Sequence, residues 1–438
     1  PTGKNCIIIY YEHMFAGWCF SLDFFRDPIH GFIPVRPWEK KIIDSQPFQR
    51  LRYIKQLSLT YLVYHGAEHT RFGHSIGTMH LVSRAFQAVV NNRGDLFGKE
   101  QREWYEQILR LMALTHDLGH APFSHGSEEV FPGDLAHEDF TEKIIKETEI
   151  AEYIQEIGRK FVQKYGEEYN ITPELICSIY RGRNISNSDF IFLRKFLDSE
   201  LDCDKMDYLL RDSYYCGVNY GRYDLERLVS TLTAYKEEEN LYLAIEKGGL
   251  YAFEEFVLAR YFMFIQVYFH KTRRFLDKIL VGFLKNNLPD GKYPEDVGDY
   301  LAWDDNTVWN LIKDSQNTDE YANRLMIRKI MRCVYESPTH SEHNDSKIFN
   351  LVRNDLEEKF GKDNFIYDSA DKLVHKIPLK HTIDSEQAIP IILGHTKTPG
   401  TISTESGVIK NMTEPINIRR IYAKEEIAEE AKKLVNHI

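Results

Sequence analysis

Cysteine is scarce in this chain and shows no spacing that would bind a metal or form a disulfide framework. Six cysteines occur among 438 residues, and none belongs to a Cys-x-x-Cys pair. This distribution argues against a zinc knuckle and against a disulfide-stabilised secreted domain. A reducing compartment suits such a chain, so we expect a cytoplasmic protein.

Long apolar runs are also missing. The most apolar N-terminal run, residues 6–11, is followed by Glu12 and His13, and it is far shorter than the ~20 apolar residues that a spanning helix needs. No secretory segment of ordinary form is visible, so we predict no membrane association. The chain starts at Pro1 and not at Met, and we treat residues 1–25 as an N-terminal extension that need not be native.

An excess of positive charge is the third absence. The formal net charge is -11, whereas a protein that coats nucleic acid normally presents a basic face. The overall field therefore argues against nucleic acid as a partner. Hydrophobic residues make up 43% of the chain and charged residues 28%, which is typical of a folded globular protein.

Helical periodicity dominates the first three quarters of the chain. Apolar residues recur at three- and four-residue spacing in segments 42–56, 75–91, 100–116, 250–286 and 307–336. From about residue 346 the pattern changes to short β-rich pieces at 364–367, 388–393 and 416–422, followed by a helix-forming end at 425–438. We predict a mainly α fold, with a helical core over residues 26–345 and a small α+β lobe over residues 346–438.

A candidate metal site begins at the adjacent residues His116 and Asp117. Both can bind one cation if the chain turns there, and Gly119 permits a helix end. An isolated His-Asp pair is usually incidental, but His74 lies upstream and Asp204 lies downstream in segments of helical character. Because facing helices of a bundle can bring such residues together, we predict a metal site formed by these two histidines and two aspartates.

These residues lie in five blocks that resemble the HD-domain deoxynucleoside triphosphate (dNTP) triphosphohydrolases. The blocks are DPIHG from Asp27, FQRLRYIKQL from Phe48, HTRFGHS from His69, HDLGHAPFSH from His116 and DKMDYLLRD from Asp204. They occur in the family order over roughly residues 27–275. No sterile-alpha-motif segment precedes them, so we expect the bacterial branch to be the better comparison.

The resemblance implies an HD-domain helical bundle that hydrolyses a dNTP to a deoxynucleoside and inorganic triphosphate. Two imidazoles and two carboxylates form a mixed nitrogen and oxygen donor set, which suits one octahedral divalent ion. Iron, manganese, zinc, nickel and magnesium all fit, and additional magnesium would accompany the nucleotide. The resemblance also assigns Arg71 and Lys205 to the polyphosphate, where cations are needed.

The leaving 5′-oxygen requires a proton, and histidine is suited to donate one near neutral pH. His120, His125 and His137 follow the metal motif. The resemblance favours His125 as general acid and Glu128 as the carboxylate that orients it. His120 and His137 would then contact phosphate or relay protons. The alternative is that these histidines are ordinary surface or core residues.

Substrate recognition is predicted from the same resemblance. Gln56 and Leu57 match positions that contact the sugar, and Leu57 would crowd a 2′-hydroxyl, which favours deoxynucleotides. Tyr208, Asp212 and Tyr268 match further substrate-binding positions, with Asp212 at the 3′-hydroxyl and Tyr268 at the 2′ face.

One position departs from the family pattern. Where the mammalian relative has a histidine one helical turn before the tyrosine, this chain has Phe264. The base preference is therefore open. Simple aromatic packing is the alternative reading of both Phe264 and Tyr268.

Asp44, Gln49 and Arg52 match positions that read an activating guanine nucleotide in the mammalian relative. A carboxylate and an arginine can bracket a guanine edge, although polar residues on the solvated face of a helix would look the same. An activating guanine nucleotide or dNTP implies a symmetric homo-oligomer, a dimer or tetramer. Two other functions stay open: an HD-domain phosphodiesterase or nucleotide phosphatase acting on another substrate, and a non-catalytic nucleotide sensor.

Overall fold

The computed structural model of this chain describes residues 23–185, 187–377, 388–394 and 399–437. About 60% of the chain is helical and the sheets are small, which confirms the mainly α prediction. Residues 1–22 of the predicted extension lie outside the described residues, and Asp23 already begins a strand. Among the described residues, no helix combines the length and the apolar composition that crossing a bilayer requires.

The α-helices follow one another along the chain. They are α1 Pro37–Ile43, α2 Gln46–Arg50, α3 Arg71–Arg93, α4 Lys99–Thr115, α5 His137–Glu147, α6 Glu149–Tyr165, α7 Pro173–Arg181, α8 Ser188–Arg194, α9 Cys203–Cys216, α10 Leu225–Ser230, α11 Leu250–Met263, α12 Lys271–Asn287, α13 Val297–Leu301, α14 Asp305–Asp314, α15 Glu320–Met326, α16 His343–Phe360, α17 Ile402–Glu405, α18 Gly407–Asn411 and α19 Ala428–Val435.

Short helical turns and strands complete the fold. The strands are β1 Asp23–Asp27, β2 Gly31–Val35, β3 Leu232–Glu237, β4 Asn240–Glu246, β5 Arg332–Glu336, β6 Phe365–Lys372, β7 Pro390–Ile392, β8 Gly400–Thr401 and β9 Ile416–Ala423. A π-helical turn, Phe264–Tyr268, follows α11 and leads to α12. A 3₁₀ turn, Ser124–Val130, precedes α5.

Helix α3 lies at the centre of the helical body. It packs against α4, α9 and β3, and polar as well as apolar side chains along its length are buried. Gly77 explains how α9 approaches so closely, because a Cβ atom there would lie 2.0 Å from Oδ1 of Asp207. A helix buried on several sides can present polar groups only to partners that satisfy them. Helix α3 is therefore a natural position for metal ligands and their hydrogen-bond partners.

The described residues form three sheets, and the two larger ones join distant parts of the chain. Strands β1 and β2 form an antiparallel hairpin, β3-β4-β7-β8 form a second sheet, and β5-β9-β6 form a third. Strand β7 is parallel to β4, and β5 is antiparallel to β9. Both larger sheets therefore combine strands from either side of residues 345 and 346. The domain boundary expected there stays a prediction.

Most predicted elements are confirmed, but three long helices are wrong in extent. The segment 42–56 is divided into α1 and α2, because Ser45 is extended and Pro47 lies in the first turn of α2. The segment 250–286 is interrupted by the π-turn and by His270, whose ring accepts a hydrogen bond from the backbone of Thr272. The segment 307–336 contains two helices and ends in strand β5.

Candidate metal centre and active-site cavity

The ends of three helices bring the predicted metal ligands together. His74 lies in the first turns of α3, His116 caps the C-terminus of α4 with Asp117 after it, and Asp204 lies in the first turn of α9. His74 Nε2 is 2.9 Å from Asp204 Oδ1 and 3.3 Å from His116 Nε2. Asp117 Oδ1 is 3.3 Å from His116 Nε2, and Asp117 Oδ2 is 3.7 Å from His74 Nε2. We call these four residues the metal set.

Both imidazoles make hydrogen bonds through Nδ1, so Nε2 is the ring atom that faces the cation position. His74 Nδ1 is 2.8 Å from Asp207 Oδ2, and His116 Nδ1 is 2.7 Å from the carbonyl oxygen of Ala113. Both partners accept hydrogen bonds, so each Nδ1 donates its proton; the proton that His74 Nε2 shares with Asp204 in the metal-free centre is the one that a cation would displace. A carboxylate or carbonyl behind a ligating histidine is the usual arrangement in metal sites.

Asp207 is itself held by a buried network. Its side chain is fully buried, and the guanidinium of Arg211 donates to both of its oxygens at 2.8 and 2.9 Å. His30 Nε2 lies 2.7 Å from Oδ1, and Arg211 also donates to Asp27 at 2.8 Å. Because every partner constrains the next, the ring orientation of His74 is fixed before any ligand arrives.

Electrostatics keep the carboxylates of this centre ionised. Burial alone would raise the pKa of Asp204, but the imidazoles of His116 and His74 outweigh burial and hold the pKa below its usual range. Burial opposes the charge of His74 as well, yet hydrogen bonds to Asp204 and Asp207 raise its pKa to about 10. The carboxylates therefore concentrate negative charge at this centre, and a proton or a cation can balance it.

The donor geometry fits a divalent ion. Ligands bound at ~2.1 Å and at right angles to one another lie roughly 3 Å apart, and the distances within the metal set cluster around that value. Imidazole and carboxylate together suit zinc, iron, manganese or nickel, and the carboxylates also suit magnesium. The residues present therefore fit one divalent cation of the predicted kind.

A second group of titratable side chains lies next to the metal set. His125 Nδ1 and His137 Nδ1 are each 2.8 Å from Oε1 of Glu128. His120 stacks on His137 with ring centroids 3.9 Å apart, and its Nε2 is 3.3 Å from Asp117 Oδ1. Hydrogen bonds from His125 and His137 lower the pKa of Glu128 below its usual range, although burial opposes this. We call these four residues the histidine cluster.

A strained turn positions His125 relative to His120. Phe123 and Ser124 both have left-handed backbones, with φ of 59° and 52°, which is uncommon for residues other than glycine. Asp305 stabilises the turn, because its carboxylate accepts the backbone N–H of Phe123 at 2.7 Å and that of Lys55 at 2.9 Å. Backbone strain held by surrounding structure is often associated with functional sites.

Residues of both groups line one cavity of about 750 Å³, although His74 and Glu128 are not among its lining residues. Most of the side chains that line it are charged or polar, unlike those of the mostly apolar pockets of small-molecule sites. It contains all the predicted substrate-binding residues and most of the predicted catalytic and metal residues, namely Gln56, Leu57, Arg71, His116, Asp117, His120, His125, His137, Asp204, Lys205, Tyr208, Asp212 and Tyr268.

The two predicted phosphate-binding cations already have partners in the protein. Arg71 donates to Asp117 Oδ2 and to Ser124 Oγ, each at 2.7 Å. Lys205 donates to Asp202 Oδ2 at 2.6 Å and to a backbone carbonyl at 3.1 Å. These bonds hold both cations at the cavity wall, so a phosphate group would meet them in fixed positions.

The predicted sugar-binding side forms a second hydrogen-bonded group. The hydroxyl of Tyr268 donates to Asp212 Oδ2 at 2.7 Å, and His69 Nε2 lies 2.8 Å from Asp212 Oδ1. Tyr268 ends the π-turn, and Phe264 begins it with its ring 5.0 Å from that of Tyr268. Phe264 also lines the cavity, so this aromatic pair does more than fill the core.

The predicted activator residues lie outside the residues that line this cavity. Asp44 and Arg52 are exposed on the segment of α1 and α2. The guanidinium of Arg52 is 3.4 Å from the ring centroid of Phe72 and donates to Gln49 at 2.8 Å. Any nucleotide bound there would occupy a separate site.

Several residues of the site were not predicted from the sequence. Arg183, Arg273 and Lys372 add positive charge to the cavity lining, and Asp207 with His30 supports His74. The sequence contains a signal for Asp207, because this residue follows Asp204 by three positions on one helix and so lies on the same helix face as a predicted metal ligand. The cavity arginines lie in unrelated segments and offered no comparable signal.

Comparison with family models places this geometry in a known class. The model described as the HD domain matches residues 71–211, and the model described as the HD associated region matches residues 223–364. The metal set and the histidine cluster all lie within the first match. The chain belongs to the HD domain family.

Two curated relatives each match more than half of the chain. The uncharacterized protein YwfO of Bacillus subtilis is 37% identical over 264 residues, which cover 59% of this chain and 54% of YwfO. The deoxynucleoside triphosphate triphosphohydrolase SAMHD1 of Homo sapiens is 30% identical over 292 residues, covering 60% of this chain and 45% of SAMHD1. The chain thus spans about half the length of these curated relatives.

A solved structure matches nearly the whole chain. A hypothetical protein from Aquifex aeolicus is 33% identical and superposes with a TM-score of 0.77, covering 94% of this chain and 99% of that protein. The similarity therefore extends beyond the HD domain to both larger sheets.

Proposed function

We propose that the protein is a metal-dependent phosphohydrolase that converts a dNTP to a deoxynucleoside and inorganic triphosphate. The observation that carries the proposal is the shared cavity of the metal set and the histidine cluster, which meet where Asp117 and His120 lie 3.3 Å apart. The similarity to SAMHD1, a dNTP triphosphohydrolase by name, supports the substrate class.

The residues of the metal set would hold a divalent cation through two Nε2 atoms and two carboxylates. When bound, the cation supplies Lewis-acid chemistry and positive charge beside a phosphoryl group. Arg71, fixed by Asp117 and Ser124, places a guanidinium at the same cavity wall and stabilises negative charge on phosphate oxygens. Lys205 adds a second positive charge next to Asp204.

The histidine cluster supplies the proton that the leaving 5′-oxygen needs. Glu128 stays ionised and accepts a hydrogen bond from His125 Nδ1, which fixes the ring and leaves Nε2 as the atom that gives up a proton. His125 is 59% exposed at its side chain, so its protonation can equilibrate with solvent. A positioned general acid of this kind contributes about 10²–10⁴-fold in rate.

Selection of deoxyribose follows from Leu57 and the Tyr268–Asp212 pair. Leu57 is buried against the cavity, and a 2′-hydroxyl pressed against it would lose hydrogen bonds to water. Asp212 keeps an acceptor oriented for a sugar hydroxyl through its bonds to His69 and Tyr268. We also propose that a guanine nucleotide or a dNTP bound near Asp44, Gln49 and Arg52 activates a dimer or tetramer.

A second candidate function is hydrolysis of a different phosphate ester at the same metal set. Arg71 and Lys205 are both hydrogen bonded to carboxylates, so they offer less free charge to a triphosphate than unpaired cations would. A nucleoside monophosphate or a phosphodiester needs fewer cations than a triphosphate does. Identification of the products separates the two candidates.

The test is a substrate panel combined with elemental analysis. Protein loaded in turn with iron, manganese, zinc, nickel or magnesium is incubated with each dNTP and each ribonucleotide, and triphosphate, pyrophosphate and phosphate are quantified. We expect triphosphate as the inorganic product from dNTPs. Release of phosphate or pyrophosphate alone would favour the second candidate, and inactivity with every metal and nucleotide would contradict both.

Asp204→Ala provides the matching variant. Removal of this ligand is expected to abolish turnover through metal loss, because the three remaining ligands bind the cation more weakly. Asp355→Ala is the control, since Asp355 is an exposed aspartate of α16 that does not line the cavity. Full activity of Asp204→Ala in protein stripped of metal would contradict the proposed role.

A further inference from the structure

Three imidazoles of the histidine cluster place the same ring nitrogen within 4.0 Å of one carboxylate oxygen. The Nδ1 atoms of His125, His137 and His120 lie 2.8, 2.8 and 4.0 Å from Glu128 Oε1. The ligand atoms of all four side chains are within 4.8 Å of one another. A general acid and its orienting carboxylate require only two of these residues, so the convergence of the other two needs its own explanation.

His120 makes the arrangement more specific. Its Nε2 lies 3.3 Å from the carboxylate of Asp117, which favours a proton on Nε2 and leaves a lone pair on Nδ1. That Nδ1 is buried, in a side chain only 2% exposed, and has no hydrogen-bond partner among the residues that the structure describes. A buried acceptor without a partner is rare in folded proteins, and a missing ion is one common reason.

We propose that the histidine cluster is a second cation site, distinct from the metal set, which binds zinc or a similar borderline divalent metal. Its ligands are the three Nδ1 atoms and Oε1 of Glu128. Tetrahedral zinc with bonds of ~2.1 Å places its ligands roughly 3.4 Å apart, and the three distances to Glu128 Oε1 bracket that value.

The surroundings meet the other requirements of a metal site. Asp117 lies behind His120, and Oε1 of Glu138 is 3.5 Å from Nε2 of His137. Carboxylates in these positions orient ligating histidines and raise their basicity. The exposed side of His125 provides an entry path from solvent.

Occupancy of this site inhibits the enzyme. Four protein ligands complete a tetrahedral shell and leave no position for water or a phosphoryl oxygen, as in structural rather than catalytic zinc sites. The ion engages Glu128 and His125, which removes the orienting carboxylate from the proton donor. This consequence for activity rests on the proposed function, whereas binding of the ion does not.

The first test measures the stoichiometry of binding. The full chain is stripped of metal, dialysed against buffered steps of free Zn²⁺ and analysed for zinc. Two equivalents are expected for the wild type, and one equivalent for Glu128→Gln and for His125→Ala, because each variant lacks one of the four proposed ligands. Glu129→Gln is the matched control: this neighbouring glutamate pairs with Lys278 and Lys285 and should leave two equivalents bound.

Asp204→Ala gives the complementary result, because it loses the equivalent at the metal set and keeps the one at the histidine cluster. His125 is mostly exposed, so His125→Ala should fold normally, and thermal unfolding of each metal-free variant checks this. A single equivalent in the wild type would overturn the proposal. So would two equivalents in both Glu128→Gln and His125→Ala.

Activity measurements separate failure of this site from failure of the proposed function. With dNTP substrate, turnover should rise as zinc fills the metal set and fall as zinc fills the histidine cluster. One bound equivalent with sustained dNTP hydrolysis overturns the second site and leaves the function standing. Two equivalents without hydrolysis under any metal overturn the function and leave the second site standing.

Discussion

The carboxylate of Asp207 determines which nitrogen of His74 is free to bind a metal. Asp207 accepts the Nδ1 proton of His74, and Arg211 neutralises its charge within the buried network. Without this acceptor, the imidazole could exchange tautomers or rotate, and Nε2 would no longer be preorganised. Ligands held in this way bind metals more tightly than free side chains do.

Asp207→Asn should therefore weaken metal binding about 10–100-fold without removing any ligand. Competition of the metal-loaded protein with a chelator measures the affinity, and thermal unfolding of the metal-free form reports the separate loss of stability from the buried ion pair with Arg211. Asp355→Asn, at an exposed aspartate of α16, is the control. An affinity within twofold of wild type would show that Asp207 does not position His74.

His125 should matter for turnover and not for binding at the metal set. His125→Asn is expected to lower turnover of a dNTP about 10²–10⁴-fold, as loss of a general acid does, while the cation of the metal set stays bound. Steady-state kinetics and elemental analysis at limiting metal measure the two effects. His343→Asn, at an exposed histidine of α16, is the control. Unchanged turnover would assign proton donation to another group.

Single residues of the site differ in how well the sequence predicts them. The metal set, His120 and His125 lie in blocks with recognisable chemistry, and Glu128 and His137 follow the last of these histidines closely, so all of them could be named as candidates. His30 lies in such a block too, but it meets Asp207 across 177 positions of the chain, and no local pattern encodes that contact. Nor does the sequence indicate that Arg71 and Lys205 already have carboxylate partners.

Among the elements, the turn between His120 and His125 depends on one buried carboxylate from α14. Asp305 holds Phe123 and Lys55 by their backbone N–H groups. Burial raises the pKa of Asp305 to about 7, and the two backbone hydrogen bonds only partly offset this. Because the folded pKa lies above the unfolded value of 3.8, the protonated carboxyl favours folding and ionisation disfavours it.

The stability that Asp305 contributes should accordingly fall as the pH rises towards 7. It is fully present below the unfolded pKa, declines by up to about 1.4 kcal/mol per pH unit between the two pKa values, and levels off above pH 7. The difference in free energy of unfolding between wild type and Asp305→Ala, from denaturant titrations between pH 5 and 8, isolates this contribution. A difference that grows with pH would contradict the raised pKa.

Secondary-structure elements were predictable where periodicity was long and uninterrupted. Helices α3 and α4 follow such patterns and were predicted within a few residues of their ends. The hairpin of β3 and β4 was missed, although its residues alternate, because its turn at Glu238 and Glu239 contains no glycine or proline to mark it. Glu238 adopts a left-handed backbone there, which a sequence pattern does not predict for glutamate.

For the whole molecule, long-range pairing sets the limit of prediction. The strands near the C-terminus were expected from composition, yet their partners β4 and β5 come from the segment before residue 346. Partner choice in a sheet depends on packing of distant segments and not on local sequence. The sequence therefore indicated strands β6, β7 and β9, but neither their partners nor that they close onto the helical body.

Assembly is the remaining property of the whole molecule that can be tested. Exposed Asp44 and Arg52, with Gln49 between them, lie outside the residues that line the catalytic cavity, so a nucleotide held there would act on a separate site. If it links subunits, sedimentation equilibrium should show GTP shifting the protein to a dimer or tetramer. Arg52→Ala removes a charge-assisted hydrogen bond worth roughly 1.5–3 kcal/mol and should weaken this shift at least about tenfold. Arg222→Ala, at another exposed arginine, should behave as wild type, and an unchanged monomer mass with GTP would contradict the activator site.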